Sequence, residues 1–413
     1  MTTGPTARLL TPTLTSGDDA IRELIPALRA ALNGSGPALR LLDASEGSAG
    51  PTALKPIELE TTDDEPTDPT AVAVATSGSS GVPKTVLLSA AALLASAGAT
   101  HDRLGGSGHW LLALPAQHVA GVQVLVRSLI ADTRPAVLDT SARFTPERFV
   151  EAVGRIGGRP GARRYTALVP TQLIRLLSAP GDSGRTAIEA LRGFDAVLVG
   201  GAAIGSVLRE QALRAGVRLV ATYGMTETCG GCVYDGTPLD GVSVRLDDAG
   251  RVLLGGPMLA RGYLRDPVAT RAAFSTDSGG QRWFRTDDAG QWDGDKLRIL
   301  GRLDSMIITG GVKVPPGPVE AALERLPGVA EAVVVGLPDP EWGQRVAAAV
   351  VLLPGAEPPT LAQARALVTA EVSAPAAPRQ LTLLDVLPLR GPGKPDRTAI
   401  ETALAETPPL EGL

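Results

Sequence analysis

The sequence predicts a large α/β N-terminal domain, with parallel sheets and a small β subdomain, followed by a small α+β C-terminal domain. Three observations predict it. Apolar runs bounded by breakers, at 166–170 and 196–200, alternate with helix-like segments at 171–178 and 205–215. Such alternation marks buried parallel strands joined by crossover helices. From about residue 240 the runs shorten to strands at 242–246, 252–254 and 297–300 with turns between them. After Gly301-Arg302-Leu303-Asp304 helices and strands mix again, and 413 residues exceed what one core organises. The domains are therefore drawn at 1–301 and 302–413.

Residues 21–32 have apolar spacing near the helical period and read as a helix interrupted by Pro26. The stretch 44–70, rich in Ser, Gly, Pro, Thr and Asp, reads as irregular surface chain. Ala71–Thr76 is a short strand running into a Gly/Ser turn, and the Ala/Leu-rich stretch 89–99 is a helix. Pro146 starts another helix over 147–156. In the C-terminal part, a helix starts at Pro318 and runs to Leu326. Strands follow at 332–335 and 346–353, then helices at 361–372 and 397–405. No internal repeat is present.

Composition excludes several classes. The net charge is −5 and no Lys/Arg run exists, which argues against a nucleic-acid binder or a partner of anionic membranes. No apolar stretch reaches the length of a membrane span. The start, Met1-Thr2-Thr3-Gly4-Pro5, has no basic region followed by an apolar one, so the expected compartment is the cytoplasm. Two cysteines exclude a disulfide scaffold, and 48 glycines with 34 prolines, scattered rather than periodic, fit a loop-rich enzyme. The sequence does not fix the oligomeric state, and a homodimer stays open.

Thr76-Ser77-Gly78-Ser79-Ser80-Gly81-Val82-Pro83-Lys84 follows a strand directly. Its glycines let a ligand approach the backbone, its hydroxyls and amides can donate to phosphate oxygens, and Lys84 adds positive charge. It is not a Walker A loop, and as a bare segment it is equally a flexible turn. Further segments follow in order: Tyr223-Gly224-Met225-Thr226-Glu227, Arg285-Thr286-Asp287-Asp288, Gly301-Arg302-Leu303-Asp304 and Gly391-Pro392-Gly393-Lys394-Pro395-Asp396-Arg397. Together they resemble the signatures of the adenylate-forming superfamily, which holds acyl- and aryl-CoA synthetases, luciferases and the adenylation domains of peptide synthetases. Asp287 stands where that family has glycine.

The resemblance implies the adenylate-forming architecture, with an active site between a large N-terminal and a small C-terminal domain, and it assigns roles. The loop Thr76–Lys84, with Gly201, Tyr223 and Gly224, would bind ATP or AMP. Thr226 would donate to the α-phosphate, Tyr223 would offer its ring to adenine, and Glu227 would hold Mg2+, which prefers oxygen ligands. Asp288 and Arg302 would bind the ribose. Lys394 would bridge the acid's carboxylate and the α-phosphate. Asp304 would be a hinge about which the C-terminal domain rotates, bringing Gly310, Gly311 and Lys313 toward the thiol side for coenzyme A. Taken one by one, these residues also have bland readings. Tyr-Gly-x-Thr-Glu could be a tight turn capping a helix, a lone Asp or Arg a surface ion pair, Asp287 a solvent-facing carboxylate or one that raises the pKa of Asp288, and Lys394 an exposed loop lysine. Cys229-Gly-Gly-Cys232 suggests zinc or redox chemistry in isolation, but only three histidines exist to complete a metal site.

For the acid, Leu114–Gly121 resembles the family segment that begins the acyl pocket. His118 stands where amino-acid-activating domains carry an aspartate, so an α-amino acid is disfavoured. Gly200 and Gly201 would line the same pocket. Arg127, nine residues past His118, is the one charge in the apolar stretch 122–130, read as a helix from Gly121. A charge there is costly unless paired. It snorkels, meets a buried acid, or meets a second carboxylate on the substrate. The last arrangement resembles that of o-succinylbenzoate–CoA ligases of menaquinone biosynthesis, although Ala120 replaces a serine common in them. The expected activity is an ATP- and Mg2+-dependent acid–CoA ligase acting on o-succinylbenzoate. The alternatives are another aryl- or acyl-CoA ligase, an adenylation domain loading a carrier protein, and a catalytically silent nucleotide-binding protein.

Overall fold

The computed structural model describes residues 8–14, 18–42, 57–59, 68–76, 84–353, 355–389 and 395–406. Loop residues Ser77 to Gly81, with Val82 and Pro83, and Lys394 with its preceding glycines lie outside the described residues, as does most of the stretch 44–70. Two compact units emerge. The first comprises Met1–Gly200, Ala215–Arg245 and Leu253–Arg285. The second comprises Gly201–Arg214, Leu246–Val252 and Thr286–Leu413.

In the first unit, strand β1 (Arg8–Leu14) is followed by helix α1 (Asp18–Leu32), β2 (Ala38–Leu42), β3 (Ile57–Leu59), β4 (Thr70–Thr76) and β5 (Lys84–Ser89). Helix α1 runs through Pro26 without interruption, so the proline does not break it as expected. β3 pairs antiparallel with β1, so part of the stretch read as irregular is a strand. β5 is a further strand that the sequence reading passed over. It pairs antiparallel with β4 in the register Thr76↔Lys84, so the residues that flank the Gly/Ser segment face each other. With β15 (Gly262–Tyr263) these strands make one mixed sheet in the order β15-β5-β4-β2-β1-β3.

Ser89 caps α2 (Ala90–Arg103) by accepting from Ala92 N at 3.2 Å. Then come β6 (His109–Leu112), α3 (Val119–Ile130), β7 (Ala136–Val137), α4 (Pro146–Gly154), β8 (Arg164–Leu168), α5 (Pro170–Leu177), α6 (Gly181–Arg192) and β9 (Ala196–Val199). β8 and β9 pair in parallel, as the apolar runs at 166–170 and 196–200 predict, β6 is a further strand parallel to β8, and β9 is buried along its whole length. α6, whose charged sequence hid its apolar face, was not foreseen. Helix α7 (Ser206–Arg214) belongs to the second unit, and β10 (Leu219–Met225) returns to the first. β10 lies parallel to β9 and antiparallel to β11 (Gly230–Tyr234), and β12 (Thr237–Pro238) closes the edge of a second sheet ordered β12-β11-β10-β9-β8-β6-β7.

Next along the chain are β13 (Ser243–Leu246), β14 (Arg251–Gly255), β15 (Gly262–Tyr263), α8 (Pro267–Ala273), β16 (Phe274–Thr276), β17 (Arg282–Asp293) and β18 (Lys296–Arg302). This is the expected run of short strands. β17 pairs with β16 through Phe274↔Phe284 and with β18 through Asp288↔Arg302.

The rest of the second unit has β19 (Ile307–Thr309), β20 (Val312–Val314), α9 (Pro316–Leu323), β21 (Val329–Asp339), β22 (Gly343–Leu352), α10 (Leu361–Glu371), β23 (Gln380–Leu383) and α11 (Arg397–Glu406). α9 starts two residues earlier and ends three earlier than expected, because Pro316 takes the first turn, where its missing N–H costs nothing. The sheet β20-β19-β22-β21, with β23 on β22, carries helices on both faces. Val334, Ala348 and Val350 face the core with Val319, Leu323 and Val368. Val333, Val335 and Ala349 face Ile400 and Leu404.

Candidate active site

The carboxyl ends of β9 and β10 place the central motif. Gly200 follows β9, and a Cβ there would lie 2.3 Å from Thr222 Oγ1. Tyr223 and Gly224 end β10, and Gly224 has φ +157° with the carbonyl of Gly230 2.1 Å from where a Cβ would stand. A side chain at either position would force the strands apart. Thr226–Thr228 then forms one 3-10 turn. It caps no helix, contrary to the bland expectation. The turn is held by Thr228, whose hydroxyl accepts from Met225 N (2.9 Å) and has the Gly230 carbonyl (2.7 Å) as the nearer acceptor for its one proton, the Met225 carbonyl lying at 3.1 Å.

Within that turn Glu227 is oriented from two sides. Its carbonyl accepts from Ala260 N at 2.8 Å, and its Oε1 accepts from the Tyr263 hydroxyl at 2.9 Å. The ring of Tyr263 also lies 4.8 Å from Lys84 Nζ, a cation–π contact at the start of β5. Tyr263 therefore brings the loop lysine and the carboxylate proposed for Mg2+ onto one side chain. The sequence reading missed it, although with aromatics at only 3% of the chain every buried tyrosine was a candidate. Thr76, at the end of β4, donates to the carbonyl of Lys84 at 3.2 Å.

His118 precedes α3 as its N-cap, with no side-chain cap bond, and its N–H meets the Pro115 carbonyl at 3.2 Å. α3 begins at Val119, two residues before the expected start. Gly121 in its first turn is required, because a Cβ there would lie 2.3 Å from that same carbonyl. The helix crosses the segment that carries His118 at backbone contact. On the other side, Gly230 of β11 faces Val119 and Gln123 without a side chain of its own.

Two turns along α3, Arg127 is 3% exposed. It does not snorkel, and among the described residues it meets no acid, so both of its bland readings fail. Its guanidinium lies 5.0 Å over the Trp110 ring, one terminal nitrogen donates to the Tyr234 hydroxyl at 3.4 Å, and Nε has no partner. Burial lowers its pKa from the usual arginine value, with Tyr234 opposing. Beside it, burial and the Arg127 charge push His101 down to about 4, while Asp102 pulls the other way.

In the second unit, Asp288 and Arg302 face each other across β17 and β18. The hydroxyl of Thr286 holds Asp288 N (3.1 Å) and donates to the Val252 carbonyl (2.8 Å). Asp287 neither simply faces solvent nor acts on Asp288 alone, since it pairs with Arg251 at 3.1 Å and Arg302 at 3.3 Å. Arg302 also grips the expected hinge Asp304 with two bonds, at 2.9 and 2.6 Å, which raise its pKa. Gly310 and Gly311 turn the β19–β20 hairpin with φ of +56° and +79°, and Lys313 is exposed on β20. From the Gly-Lys-x-x-Arg segment, Arg397 is structural: it pairs with Glu320 at 2.7 Å and donates to the Val334 carbonyl.

Cys229 and Cys232 are free, fully buried thiols whose pKa values burial pushes up, that of Cys232 to about 12. Among the described residues no cluster of His, Cys, Asp and Glu could hold a metal. No described helix is long and apolar enough to cross a membrane.

Comparison with known proteins bears on this constellation. The family model of AMP-binding enzymes matches residues 18–264, and that of the AMP-binding enzyme C-terminal domain matches 318–394. A protein of Mycobacterium tuberculosis named probable 2-succinylbenzoate–CoA ligase is 46% identical over 381 residues, covering 91% of this chain and 94% of its own. The 2-succinylbenzoate–CoA ligase of Escherichia coli is 34% identical, covering 65% of this chain and 56% of its own. Among solved structures, the o-succinylbenzoate CoA synthetase MenE of Bacillus subtilis, in complex with its acyl-adenylate intermediate, superposes with a TM-score of 0.75. It is 23% identical and covers 98% of this chain and 90% of its own. ATP-bound MatB of Rhodopseudomonas palustris gives 0.77 at 22% identity, covering 98% and 90%. These two structural likenesses concern the fold.

Proposed function

Because the chain belongs to the AMP-binding enzyme family, we propose that it is an ATP-dependent, cytoplasmic acid–CoA ligase that adenylates o-succinylbenzoate and passes the acyl group to coenzyme A, releasing AMP and pyrophosphate. The observation that carries the choice of acid is Arg127, a buried cation with no acid partner among the described residues. A dicarboxylic acid supplies the missing anion. Its reacting carboxylate would lie toward His118, Gly200 and Gly201 and its second carboxylate at Arg127.

A carboxylate is a poor acyl donor because a thiol would have to expel oxide. Conversion to an acyl–AMP anhydride supplies a good leaving group, and the site's task is to bring two anions together. Thr226 and the loop Thr76–Lys84 donate to phosphate oxygens, and Tyr223 offers its ring to adenine. Asp288 accepts from the ribose hydroxyls, and Arg302 joins it there. Lys394 offsets the repulsion between carboxylate and α-phosphate. A Mg2+ ion fits the donor set: Glu227 is a hard oxygen ligand whose Oε1 is already fixed by Tyr263. When bound, it neutralises phosphate charge. Asp304 is the hinge between domains at 1–301 and 302–413. Rotation about it withdraws Lys394 and presents Gly310, Gly311 and Lys313 for the thiol step.

The test is thioester formation across a panel of carboxylic acids with ATP, Mg2+ and coenzyme A, read by mass spectrometry. The expected result is o-succinylbenzoyl-CoA with stoichiometric AMP, and far slower reaction of amino acids and fatty acids. Turnover of another acid with none of o-succinylbenzoate would refute the choice of substrate.

A further inference from the structure

The cluster around Arg127 has an internal order that hydrogen counting reveals. Thr100 has one hydroxyl proton, and its Oγ1 donates it to the Ser96 carbonyl one turn back in α2, at 2.9 Å. The 2.9 Å contact between Thr100 Oγ1 and the Tyr234 hydroxyl must then use the tyrosine's proton. That leaves the Tyr234 oxygen with lone pairs alone, so it accepts from Arg127. The chain of donors runs one way: Arg127 to Tyr234 to Thr100 to the Ser96 carbonyl. Ser96 in turn donates through Oγ to the Cys229 carbonyl at 3.1 Å, which ties the chain to the turn that carries Glu227.

The remaining neighbours keep other charges away. Trp110 Nε1 donates to His101 Nε2 at 3.3 Å, which fixes the imidazole as an acceptor on that side and directs its Nδ1 proton toward Ser107 at 3.4 Å. The Trp110 face takes the guanidinium plane. Every group holding Arg127 is thus neutral. Among the described residues no carboxylate offsets the desolvation of this buried cation, a cost on the order of several kcal/mol.

We propose that Tyr234, with its proton committed to Thr100, is a positioning residue that aims Arg127 at the second carboxylate of the acid. This rests on the reading of Arg127 given above. A phenol with its proton taken can accept from the guanidinium but cannot compete for the substrate's oxygens. It therefore fixes the orientation of the fork and leaves the substrate as the sole anion. Such a residue acts through KM for a diacid and leaves a mono-acid untouched.

The experiment measures kcat and KM for o-succinylbenzoate and for 4-oxo-4-phenylbutanoate, the same skeleton without the ring carboxylate. The full-length variants are Tyr234→Phe, Thr100→Val and Thr100→Ser, each with a melting curve. Tyr234→Phe should raise KM for the diacid about three- to tenfold relative to the mono-acid, the range expected for one long bond to a charged group. Thr100→Val should shift the same ratio in the same direction by less, and Thr100→Ser, which keeps the oxygen, should restore it. In an Arg127→Leu background Tyr234→Phe should add no further selectivity. If Arg127→Leu alone changes the diacid-to-mono-acid ratio but Tyr234→Phe and Thr100→Val do not, the positioning role is overturned and the reading of Arg127 stands. If Arg127→Leu leaves the ratio unchanged, that reading falls and the positioning role falls with it. Should Tyr234→Phe fail to fold, the Thr100 pair decides.

Discussion

Arg127→Leu should separate function from stability with opposite signs. Leucine fills part of the same space on α3 and removes a guanidinium that is 3% exposed and lacks a partner at Nε. In the unliganded protein the change relieves the desolvation of a buried, unpaired cation, a penalty on the order of several kcal/mol. Against this stands the lost contact with Trp110, worth about 1–2 kcal/mol when desolvated. The melting temperature should therefore stay level or rise. With o-succinylbenzoate, the second carboxylate would be left desolvated and unmatched, at a cost of about 2–5 kcal/mol, or roughly 30- to several-thousand-fold in kcat/KM. A mono-acid such as benzoate should lose little or gain. Steady-state kinetics on both acids, with a melting curve on the same sample, reads all three quantities. A lower melting temperature together with equal losses for both acids would refute the reasoning and make Arg127 a structural residue.

Tyr263→Phe removes the hydroxyl that orients Glu227 but keeps the ring under Lys84, so the Mg2+ concentration for half-maximal pyrophosphate release, and the affinity for Mn2+ measured by electron paramagnetic resonance, should each worsen about tenfold. Lys394→Ala should abolish acid-dependent pyrophosphate release while supplied acyl–AMP and coenzyme A still yield thioester; equal loss of both half-reactions in a folded protein counts against its assignment. His101, held near 4 in the fold against 6.5 when unfolded, binds its proton more readily in the unfolded chain. Stability of the first unit should therefore fall by about 1–2 kcal/mol as pH drops from 6.5 toward 4, and His101→Gln should flatten that limb of the melting profile. Glu324 has the opposite sign: burial first, then the Glu320 charge, raises it to about 7 from 4.5. Stability of the second unit should thus decline as pH rises from 4.5 to 7, and Glu324→Gln should remove the decline.

The fold was most legible where one force dominated locally. β8 and β9 are buried on both faces, so every residue must be apolar or internally bonded, and the run shows directly in the chain. β5 was passed over because Lys84 ended a motif and Thr85 to Ser89 merged with the alanine-rich start of α2, although the pairing with β4 is what fixes them as strand. α6 begins Gly-Asp-Ser-Gly, a composition that reads as loop, and becomes a helix because Ala187 and Leu191 pack inward. In both cases tertiary contact overrode local preference. Pro26 shows the converse: one missing backbone donor did not outweigh the apolar face of α1, where Ile21, Leu24, Leu28 and Ala31 are all buried.

For the candidate site, the sequence offers the charged and glycine positions but not the groups that orient them. A motif records a carboxylate at 227 or a cation at 127, because chemistry fixes those types. The partners of these groups lie far away in sequence. Tyr263 is 36 residues from Glu227, and Tyr234 is 107 from Arg127. No spacing rule connects such pairs: the β10–β11 turn meets β15 of the other sheet in one case, and α3 meets β11 in the other. Arg302 makes the same point from the other side. Its neighbour Asp304, two residues on, was assigned a hinge role and Arg302 a ribose role, yet they hold each other in a two-bonded ion pair. Ribose binding by Arg302 must compete with that grip, or work alongside it through the Asp288↔Arg302 register. The proposed hinge residue and the proposed ribose ligand are therefore joined by one ion pair, and Asp304→Asn should weaken that pair, read as a change in Arg302 contacts, before it alters any rotation.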